Sequence, residues 1–254
     1  LHLLSRRQRQ MCIRDSRKDS ICAFIHRVDP DIIDMQEVLH HQLEVLKTGL
    51  PEYTVVGVGR EDGKTAGEYA PIFFKQAKYT LLDQNTFWLC EKPDSVGMVG
   101  WDAALTRIAT WVKLQDKKTG QILMVVNTHF DHIGTEARRN SALLIIEKIK
   151  EIVGTSPAIL TGDFNVSEDW DAYKTITNNE FILKDAHKVA GKRTGVDFTY
   201  HNFGKIPAEK CEKIDFIFVT PQIRVISSYI PFSQLNDTLF LSDHNPEIVE
   251  LEIK

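Results

Sequence analysis

The sequence predicts a single α/β domain that is rich in buried strands and contains few helices. The 254 residues are 43% hydrophobic and 26% charged, which is ordinary for a globular protein of this length. Apolar, strand-like runs such as QILMVVNTHF and KIDFIFVT recur along the chain. Because no internal repeat, low-complexity segment or linker rich in proline and serine divides it, we expect one domain over residues 17–254.

The amino-terminal half predicts helices alternating with short strands. Apolar residues at helical spacing from Ser20 predict a helix that Pro30 ends. The run DIIDMQEV predicts a short strand ending at Gln36 and Glu37, and HHQLEVLKTGL predicts a helix closed by Gly49. YTVVGVG, APIFFK and YTLLD are strand candidates, while RIATWVKLQD and QILMVVNTHF predict a hairpin around the turn DKKTG.

The carboxyl-terminal half contains the clearest helix, TEARRNSALLIIEKIKEIVG, with Thr135 as the expected N-cap and Gly154 after its end. The strand that begins AILTGDFN follows, and a helix is predicted around Asp169–Thr177. Further strands are predicted near Phe181–Leu183 and Phe198–Tyr200. The runs KIDFIFVT, RVISSYI and EIVELEIK complete the chain as strands.

The first sixteen residues, LHLLSRRQRQMCIRDS, do not resemble the rest of the chain. They have no clean periodicity and resemble a translated junction, so we expect them to lie outside the domain; a basic nucleic-acid-binding arm is the alternative. The chain carries a formal charge of −4, and this segment holds four arginines and one aspartate, which leaves −7 for the remainder. An acidic body is a poor match for a nucleic-acid backbone.

The cysteines give little information about compartment or cofactor. Cys12, Cys22, Cys90 and Cys211 are scattered and form no CxxC pair, so neither a zinc site nor a disulfide framework is indicated. No apolar run is long enough to span a bilayer. The cellular location therefore stays open, whether cytoplasmic or exported, and we expect a monomer.

Polar residues recur at the ends of the predicted strands, where a solvated surface is not expected. Carboxylates and imidazoles are rarely buried unless they are paired or bound to a metal. Each has a simpler interpretation: a helix cap for Glu37, a hydrogen-bonded core histidine for His129, or turn residues in GDFN and SDH. Those interpretations would have to hold independently at every strand end. The set consists of Glu37, Asn127, His129, Asp163, Asn165, Asp215, Asp243 and His244.

A shared site is the better explanation of this pattern. Several acids, two amides and two histidines suit a hard divalent cation with oxygen ligands. An ion of this kind together with imidazoles can neutralise charge, activate water and protonate a leaving group, as hydrolysis of a phosphate ester requires.

The ordered motifs QE, NTH, GDFN, IDFIF and SDH resemble those of the endonuclease/exonuclease/phosphatase superfamily, the deoxyribonuclease-like phosphoesterases. The resemblance covers residue 17 to the end. It implies a four-layer α/β/β/α sandwich of two mixed, mostly antiparallel sheets, with the active site at one edge. The family's first strand, often written YNIR, has no counterpart before the Ser20 helix, so we expect the domain to lack that strand.

The resemblance also implies roles for the residues on the metal and water side. Glu37 matches the family's metal-binding glutamate, and Asp243 matches a second carboxylate near the metal. Asp163 and Asn165 match the pair that holds the attacking water and the phosphate.

On the phosphate side, Asn127 matches a residue facing the phosphate and His129 the histidine near the leaving group. Asp215 matches the acid that orients the last histidine, and His244 matches that histidine, which contacts phosphate or serves as base.

Three further residues correspond less directly. Glu68 is a candidate for the glutamate that pairs with the first histidine in family nucleases, although a solvated loop acid is the alternative. Arg107 stands where family phosphate-binding arginines can occur. His201, in TYHNF, resembles part of a TFHxF element of an uncharacterised bacterial branch, which would place it in the pocket.

The resulting expectation is a Mg²⁺-dependent hydrolase of phosphate esters, with Mn²⁺ as a substitute metal. The acidic body and the lack of a basic, aromatic stripe favour a small phosphodiester or phosphomonoester over nucleic acid. A DNA or RNA nuclease of the same superfamily is the alternative, and a truncated, non-catalytic binding module is the alternative from another class.

Overall fold

A computed structural model describes residues 17, 19–154, 156–178, 183–236 and 239–254. The junction-like residues 1–16 and most of the strand predicted near Phe181–Leu183 lie outside this described part. The elements are α1 (residues 19–28), β1 (Ile32–Asp34), α2 (His40–Gly49), β2 (Tyr53–Val56), β3 (Ile72–Lys75), β4 (Tyr79–Trp88), β5 (Ile108–Asp116), β6 (Ile122–His129), α3 (Thr135–Val153), β7 (Ala158–Asp163), α4 (Asp171–Thr177), β8 (Lys184–Asp185), α5 (Ala186–Val189), β9 (Lys192–Gly195), a 3₁₀ turn (Ala208–Lys210), β10 (Asp215–Val219), β11 (Ile223–Ile230), β12 (Gln234–Asn236), β13 (Leu239–Phe240) and β14 (Ile248–Ile253).

The strands form two main layers of mixed sheet. One layer is a continuous six-stranded sheet in the order β4-β5-β6-β7-β10-β8. The other layer consists of two three-stranded pieces, β1-β3-β2 and β14-β11-β9. The hairpin predicted from the alternating run and the apolar run is confirmed, because β5 and β6 pair antiparallel around the predicted turn.

Three apolar cores separate four layers, as the four-layer expectation requires. The first core lies between the six-stranded sheet and helices α3 and α4, with Ile145 and Phe218 among its buried members. The second joins the two sheet layers through residues such as Val125 and Phe74. The third packs α1 and α2 on the outer face of β1-β3-β2, around Leu46 and Phe73. The order is therefore α/β/β/α.

The long helix begins where the sequence predicts but is capped differently. Its first residue is Thr135, and the N-cap is Gly134, which has no side chain to offer. The carboxylate of Asp102 accepts hydrogen bonds from the N–H groups of Glu136 (3.3 Å) and Ala137 (2.7 Å). The prediction of Thr135 as N-cap is wrong because an acid more than 30 residues earlier satisfies the helix terminus, which no local pattern reveals.

The strand predicted at Phe198–Tyr200 is also wrong. Tyr200 forms only isolated bridges, to Glu212 and to His244. The segment continues into left-handed backbone at Asn202 (φ 47°) and Phe203 (φ 55°), so it turns back over the site instead of extending a sheet. Among the described residues, no helix is long and apolar enough to cross a membrane.

Candidate active site

Three adjacent strands carry one row of polar residues across the six-stranded sheet. In the parallel pair β6 and β7, His129 lies opposite Asp163, and in the antiparallel pair β7 and β10, Asp163 lies opposite Asp215. Residues directly opposite each other in a sheet share a face and lie close together. The strand register alone therefore brings together three residues that are spread over more than 80 positions of the sequence.

A close approach of backbones explains the glycine in GDFN. A side-chain Cβ at Gly162 would lie 2.3 Å from the carbonyl oxygen of Thr128 on β6, so only glycine fits between the two strands. The next residue, Asp163, is buried, and its Oδ1 accepts a hydrogen bond from the N–H of Asn165 at 2.9 Å. Asn165 has left-handed backbone (φ 50°), and its amide donates to Phe130 O at 3.0 Å. The two interpretations of GDFN, as a turn and as part of a site, are therefore compatible.

His244 is held against this row by a carboxylate. Its Nδ1 lies 2.7 Å from Asp215 Oδ2, and the Tyr200 ring packs beside the imidazole at 4.9 Å between centroids. Burial lowers the pKa of His244, but the negative charges of Asp215, Asp163 and Asp243 outweigh it and raise that pKa to about 10. Of the two expected roles, contact with phosphate suits this protonated imidazole better than acting as a base.

The pKa values of Asp163 and His129 are both shifted so that the neutral form of each side chain is favoured. Burial, with a further contribution from Asp215, raises the pKa of the Asp163 carboxyl to about 7. Burial also lowers the pKa of His129 well below its ordinary value, and the positive charges of Arg107 and Arg60 lower it further. His129 Nε2 lies 3.5 Å from Asp163 Oδ2, and its Nδ1 is buried with no hydrogen-bond partner among the described residues. A neutral imidazole thus faces a carboxyl group that can carry a proton.

Two glutamates approach the same histidine from loops of the other layer. Glu37 follows β1 in left-handed backbone (φ 58°) and is exposed. Glu68 precedes β3 and forms a 2.7 Å ion pair with Arg60. One donor atom from each of Glu37, Glu68 and His129 lies within 4.8 Å of the others, and the same holds for Asp163, Asp215 and His244.

The first of these two groups fits a divalent metal ion better. In the second group, Asp215 is already bonded to a protonated His244, so a cation would have to compete with an existing positive charge. In the first group Glu68 is likewise paired, with Arg60, but the carboxylate of Glu37 is exposed and the histidine beside it is neutral. Oxygen-rich donor sets of this kind suit Mg²⁺ or Mn²⁺. Asp243 belongs to neither group within the described part of the chain.

Asn127 has a different position from the one expected. It is fully buried, and its amide nitrogen donates to Met35 O (2.7 Å) and Pro71 O (2.9 Å) in the opposite sheet layer. Its oxygen accepts a 2.7 Å hydrogen bond from Gln36. Because these partners use both of its N–H groups, Asn127 joins the two sheets and does not face the open edge.

Arg107 lies at the edge of the site in a buried network. Its Nε is 3.4 Å from Asp131 Oδ2, and its Nη2 is 3.0 Å from His132 Nδ1. Its Nη1 is buried and has no hydrogen-bond partner among the residues that the structure describes. Burial lowers the pKa of Arg107, and the neighbouring charge of Arg60 lowers it further. A buried donor without a partner leaves room for an oxygen ligand, so the expected phosphate contact of Arg107 stays a prediction.

His201 does not line an open pocket, so that prediction is wrong. Its side chain is fully buried, and its ring packs against Phe232 and Phe240. Its Nδ1 accepts a hydrogen bond from the N–H of Gly204, and its own N–H donates to Asp243 O. His201 therefore supports the loop that carries Asp243 from behind, and Phe232 and Phe240, which follow it by more than 30 residues, help to exclude it from solvent.

Sequence reasoning missed three residues that shape the site. Gln36 was noted only as the end of a strand, yet it fixes the amide of Asn127. Tyr200 was assigned to a strand, and it packs on His244. Arg60 had no sequence signal, because GVGREDGK reads as an ordinary polar loop.

Comparisons with known proteins agree with this architecture. Residues 12–244 match the model of the Endonuclease/Exonuclease/phosphatase family. The chain is 63% identical to an endonuclease/exonuclease/phosphatase from Bacteroides vulgatus, with a TM-score of 0.91 over 94% of this chain and 90% of that one. It is 36% identical to a mannosyl-6-phosphatase from Bacteroides thetaiotaomicron, with a TM-score of 0.88 over 94% and 92% of the two chains.

A viral relative extends the range of similar proteins. Uncharacterized protein L388 of Acanthamoeba polyphaga mimivirus is 29% identical over 252 residues, which cover 94% of this chain and 92% of that protein. The extent of the family match and the shared fold lead to one conclusion: this chain belongs to the endonuclease/exonuclease/phosphatase family.

Proposed function

We propose that this chain is a divalent-metal-dependent hydrolase that cleaves a small phosphate ester by attack of water on phosphorus. The observation that carries the proposal is the meeting of two groups at one sheet edge. The row of His129, Asp163 and Asp215, completed by His244, lies beside the carboxylates of Glu37 and Glu68. This arrangement offers positive charge, a proton acceptor and oxygen ligands within one site.

Glu37, joined by Glu68 and by the more distant Asp243, would hold the Mg²⁺ or Mn²⁺ ion. When bound there, the ion would neutralise phosphate charge and favour deprotonated water.

Asp163 and Asn165 would align the attacking water. Asp163 suits the role of proton acceptor because its pKa of about 7 lies near the working pH of most enzymes. As the water oxygen bonds to phosphorus, its proton would pass to Asp163.

His244, kept protonated by Asp215, would bind a phosphate oxygen and stabilise the charge that develops on it. His129, on the opposite side of Asp163, would donate a hydrogen bond to the oxygen that leaves phosphorus. Arg107 would contribute its Nη1, which has no hydrogen-bond partner among the described residues, to the phosphate or to the leaving group.

Among substrates, a phosphomonoester on a sugar is favoured by one specific observation. A relative at 36% identity over nearly the whole chain is a mannosyl-6-phosphatase. A small substrate also agrees with the −7 charge of the body. Nuclease activity is the second candidate, and a non-catalytic module is the third.

A substrate panel tests the proposal. Para-nitrophenyl phosphate, bis(para-nitrophenyl) phosphate, mannose-6-phosphate and a single-stranded oligonucleotide are incubated with the protein and Mg²⁺, Mn²⁺ or excess EDTA. We expect metal-dependent turnover that is fastest on a small ester. Turnover that persists undiminished in EDTA would exclude metal dependence, and preference for the oligonucleotide would favour the nuclease. No turnover of any member would favour the non-catalytic module.

A further inference from the structure

One buried carboxylate, that of Asp131, ties together the loop after β6 and the loop before β5. Its Oδ1 accepts hydrogen bonds from the N–H groups of Ile133 (2.9 Å) and Gly134 (2.8 Å). Its Oδ2 accepts a 3.3 Å hydrogen bond from the N–H of Leu105 and lies 3.4 Å from Arg107 Nε. Burial raises the pKa of Asp131, but the hydrogen bonds from the two loops outweigh it and hold that pKa well below its ordinary value. A charged staple therefore fixes the two loops against each other.

The tied loops continue the catalytic row by one strand. In the six-stranded sheet, β5 lies next to β6 on the side away from β7. Ala109 of β5 pairs with Thr128 of β6, so the start of β5 lies beside the end of β6 at His129. Beyond the effect of burial, the charges of Arg107 and His132 are among those that lower the pKa of His129, as expected of near neighbours. Because His129 is proposed to donate to the leaving oxygen, the leaving group would extend over these two loops.

His132 presents one defined hydrogen-bond donor on this surface. Its Nδ1 lies 3.0 Å from Nη2 of Arg107. A guanidinium can only donate, so Nδ1 accepts and the proton of the neutral imidazole is on Nε2. The His132 side chain is 47% exposed, whereas Arg107 is buried, so Nε2–H lies on the side of the ring away from the protein interior. The fold thereby sets both the tautomer and the direction of the donor.

Two aliphatic side chains next to His132 are exposed. Ile133 is 63% exposed and Leu105 is 43% exposed. Scattered exposed apolar residues are common, but the N–H groups of these two bind the two oxygens of one carboxylate, at the edge that carries the catalytic row. An apolar surface beside a polar donor suits a small molecule that has both C–H groups and acceptor oxygens.

We propose that Leu105, His132 and Ile133 form the leaving-group subsite and that this subsite binds a sugar ring. The C–H groups of the sugar would pack on Leu105 and Ile133, and one of its hydroxyls would accept a hydrogen bond from His132 Nε2–H. A nucleoside would instead stack its base on the His132 ring. This inference rests on the proposed function and deepens it, because it assigns residues to the group that leaves phosphorus.

The first experiment measures selectivity in the full-length protein with Mg²⁺. Selectivity is the ratio of kcat/KM for the faster of mannose-6-phosphate and glucose-6-phosphate to kcat/KM for para-nitrophenyl phosphate, so changes at the metal or at phosphorus cancel. His132→Asn keeps an acceptor close to the place of Nδ1 but removes the Nε2–H donor, and we expect selectivity to fall by at least about tenfold. Ile133→Ser should lower it as well. Leu143→Ser, at a similarly exposed position on α3, is the matched control and should leave selectivity unchanged.

The outcomes separate this inference from the proposed function. Wild-type selectivity in both His132→Asn and Ile133→Ser would overturn the subsite. A wild type that hydrolyses para-nitrophenyl phosphate but neither sugar phosphate would overturn the sugar assignment and leave the proposed hydrolase intact. If His132→Asn lowers turnover of a single-stranded oligonucleotide more than turnover of the sugar phosphates, the subsite binds a nucleoside and the proposal is wrong.

The second experiment needs no turnover. The methyl signals of Ile133 and Leu105 are followed by NMR in metal-free protein while mannose or glucose is added. We expect both sets of signals to shift, the methyl signals of Leu143 to stay in place, and His132→Asn to weaken the sugar binding. Because the free sugars carry no phosphate, this result does not depend on hydrolysis. Signals of Ile133 and Leu105 that do not move with either sugar would overturn the proposal.

Discussion

The two groups of potential metal ligands differ in how the fold builds them. Asp163 and Asp215 lie on paired strands, and His244 hydrogen-bonds to Asp215. Glu37 and Glu68 come from loops of the other sheet layer and meet His129 across the gap between layers. In the strand-built group a protonated histidine is already paired with an acid, whereas the loop-built group gathers carboxylates beside a neutral imidazole. The difference supports the proposal that two similar clusters of acids and histidines have separate tasks, one holding the phosphate and water and the other holding the cation.

The largest loss of turnover is expected on substitution of Asp163, which belongs to one group and lies 3.5 Å from His129 of the other. Asp163→Asn removes the proton acceptor but keeps a side chain of the same shape, so turnover should fall by roughly 10²-fold or more. The melting temperature should stay close to that of the wild type, since the carboxyl is half-neutral near pH 7 already. Wild-type rates in the folded variant would return Asp163 to the role of a turn residue.

A second expected effect concerns the charge of His244. The folded-state pKa of His244, about 10, exceeds the ordinary value of 6.5. The ion pair of His244 with Asp215 therefore stabilises the fold fully below pH 6.5, and this stabilisation is lost as the pH rises through about 10. Asp215→Asn removes the strongest of the favourable interactions, so the pKa of His244 should fall steeply. An NMR titration of the imidazole in metal-free protein measures both values. Titration of His244 near pH 6.5 in the wild type would contradict the assignment.

Asn127 gives a smaller effect that separates structure from catalysis. Asn127→Ala removes the donor to Met35 O and the acceptor of the Gln36 amide, at a cost of roughly 1–3 kcal/mol for each buried group, while Pro71 O keeps the N–H of Met35 as a donor. We therefore expect a clear loss of melting temperature with little change in KM for a small ester. A large rise in KM at unchanged stability would restore the original expectation that Asn127 faces the phosphate.

Nucleic-acid binding should show the smallest effect. With Arg6, Arg7 and Arg9 changed to serine, affinity for random duplex DNA at physiological salt should be weak, because the body carries −7. A fluorescence-anisotropy titration that gives sub-micromolar affinity would favour the nuclease alternative.

The site could be predicted from the sequence because polar residues interrupt strand-like runs of apolar residues. Asp163 and Asp215 stand at the ends of runs that would otherwise be entirely apolar, and the structure places them opposite each other. The same reasoning could not find the position of Asn127 between the layers, because a period of two gives the face of a strand but not which sheet covers it. The capping of α3 by Asp102 and the burial of His201 against Phe240 could not be predicted for a related reason. Both depend on partners that lie far away in the chain.

Short strands such as Ile32–Asp34 depend on their neighbours for stability, so their pairing is decided by tertiary structure and not by local propensity.

The most direct test of the division between the two groups is a calorimetric titration of Mn²⁺ into wild-type protein, Glu37→Gln and Asp215→Asn. We expect the wild type to bind the ion, Glu37→Gln to weaken that binding by at least about tenfold, and Asp215→Asn to leave it nearly unchanged. Thermal melts of the three proteins control for folding. Loss of Mn²⁺ binding in Asp215→Asn together with full binding in Glu37→Gln would contradict the account and place the metal on the strand-built group.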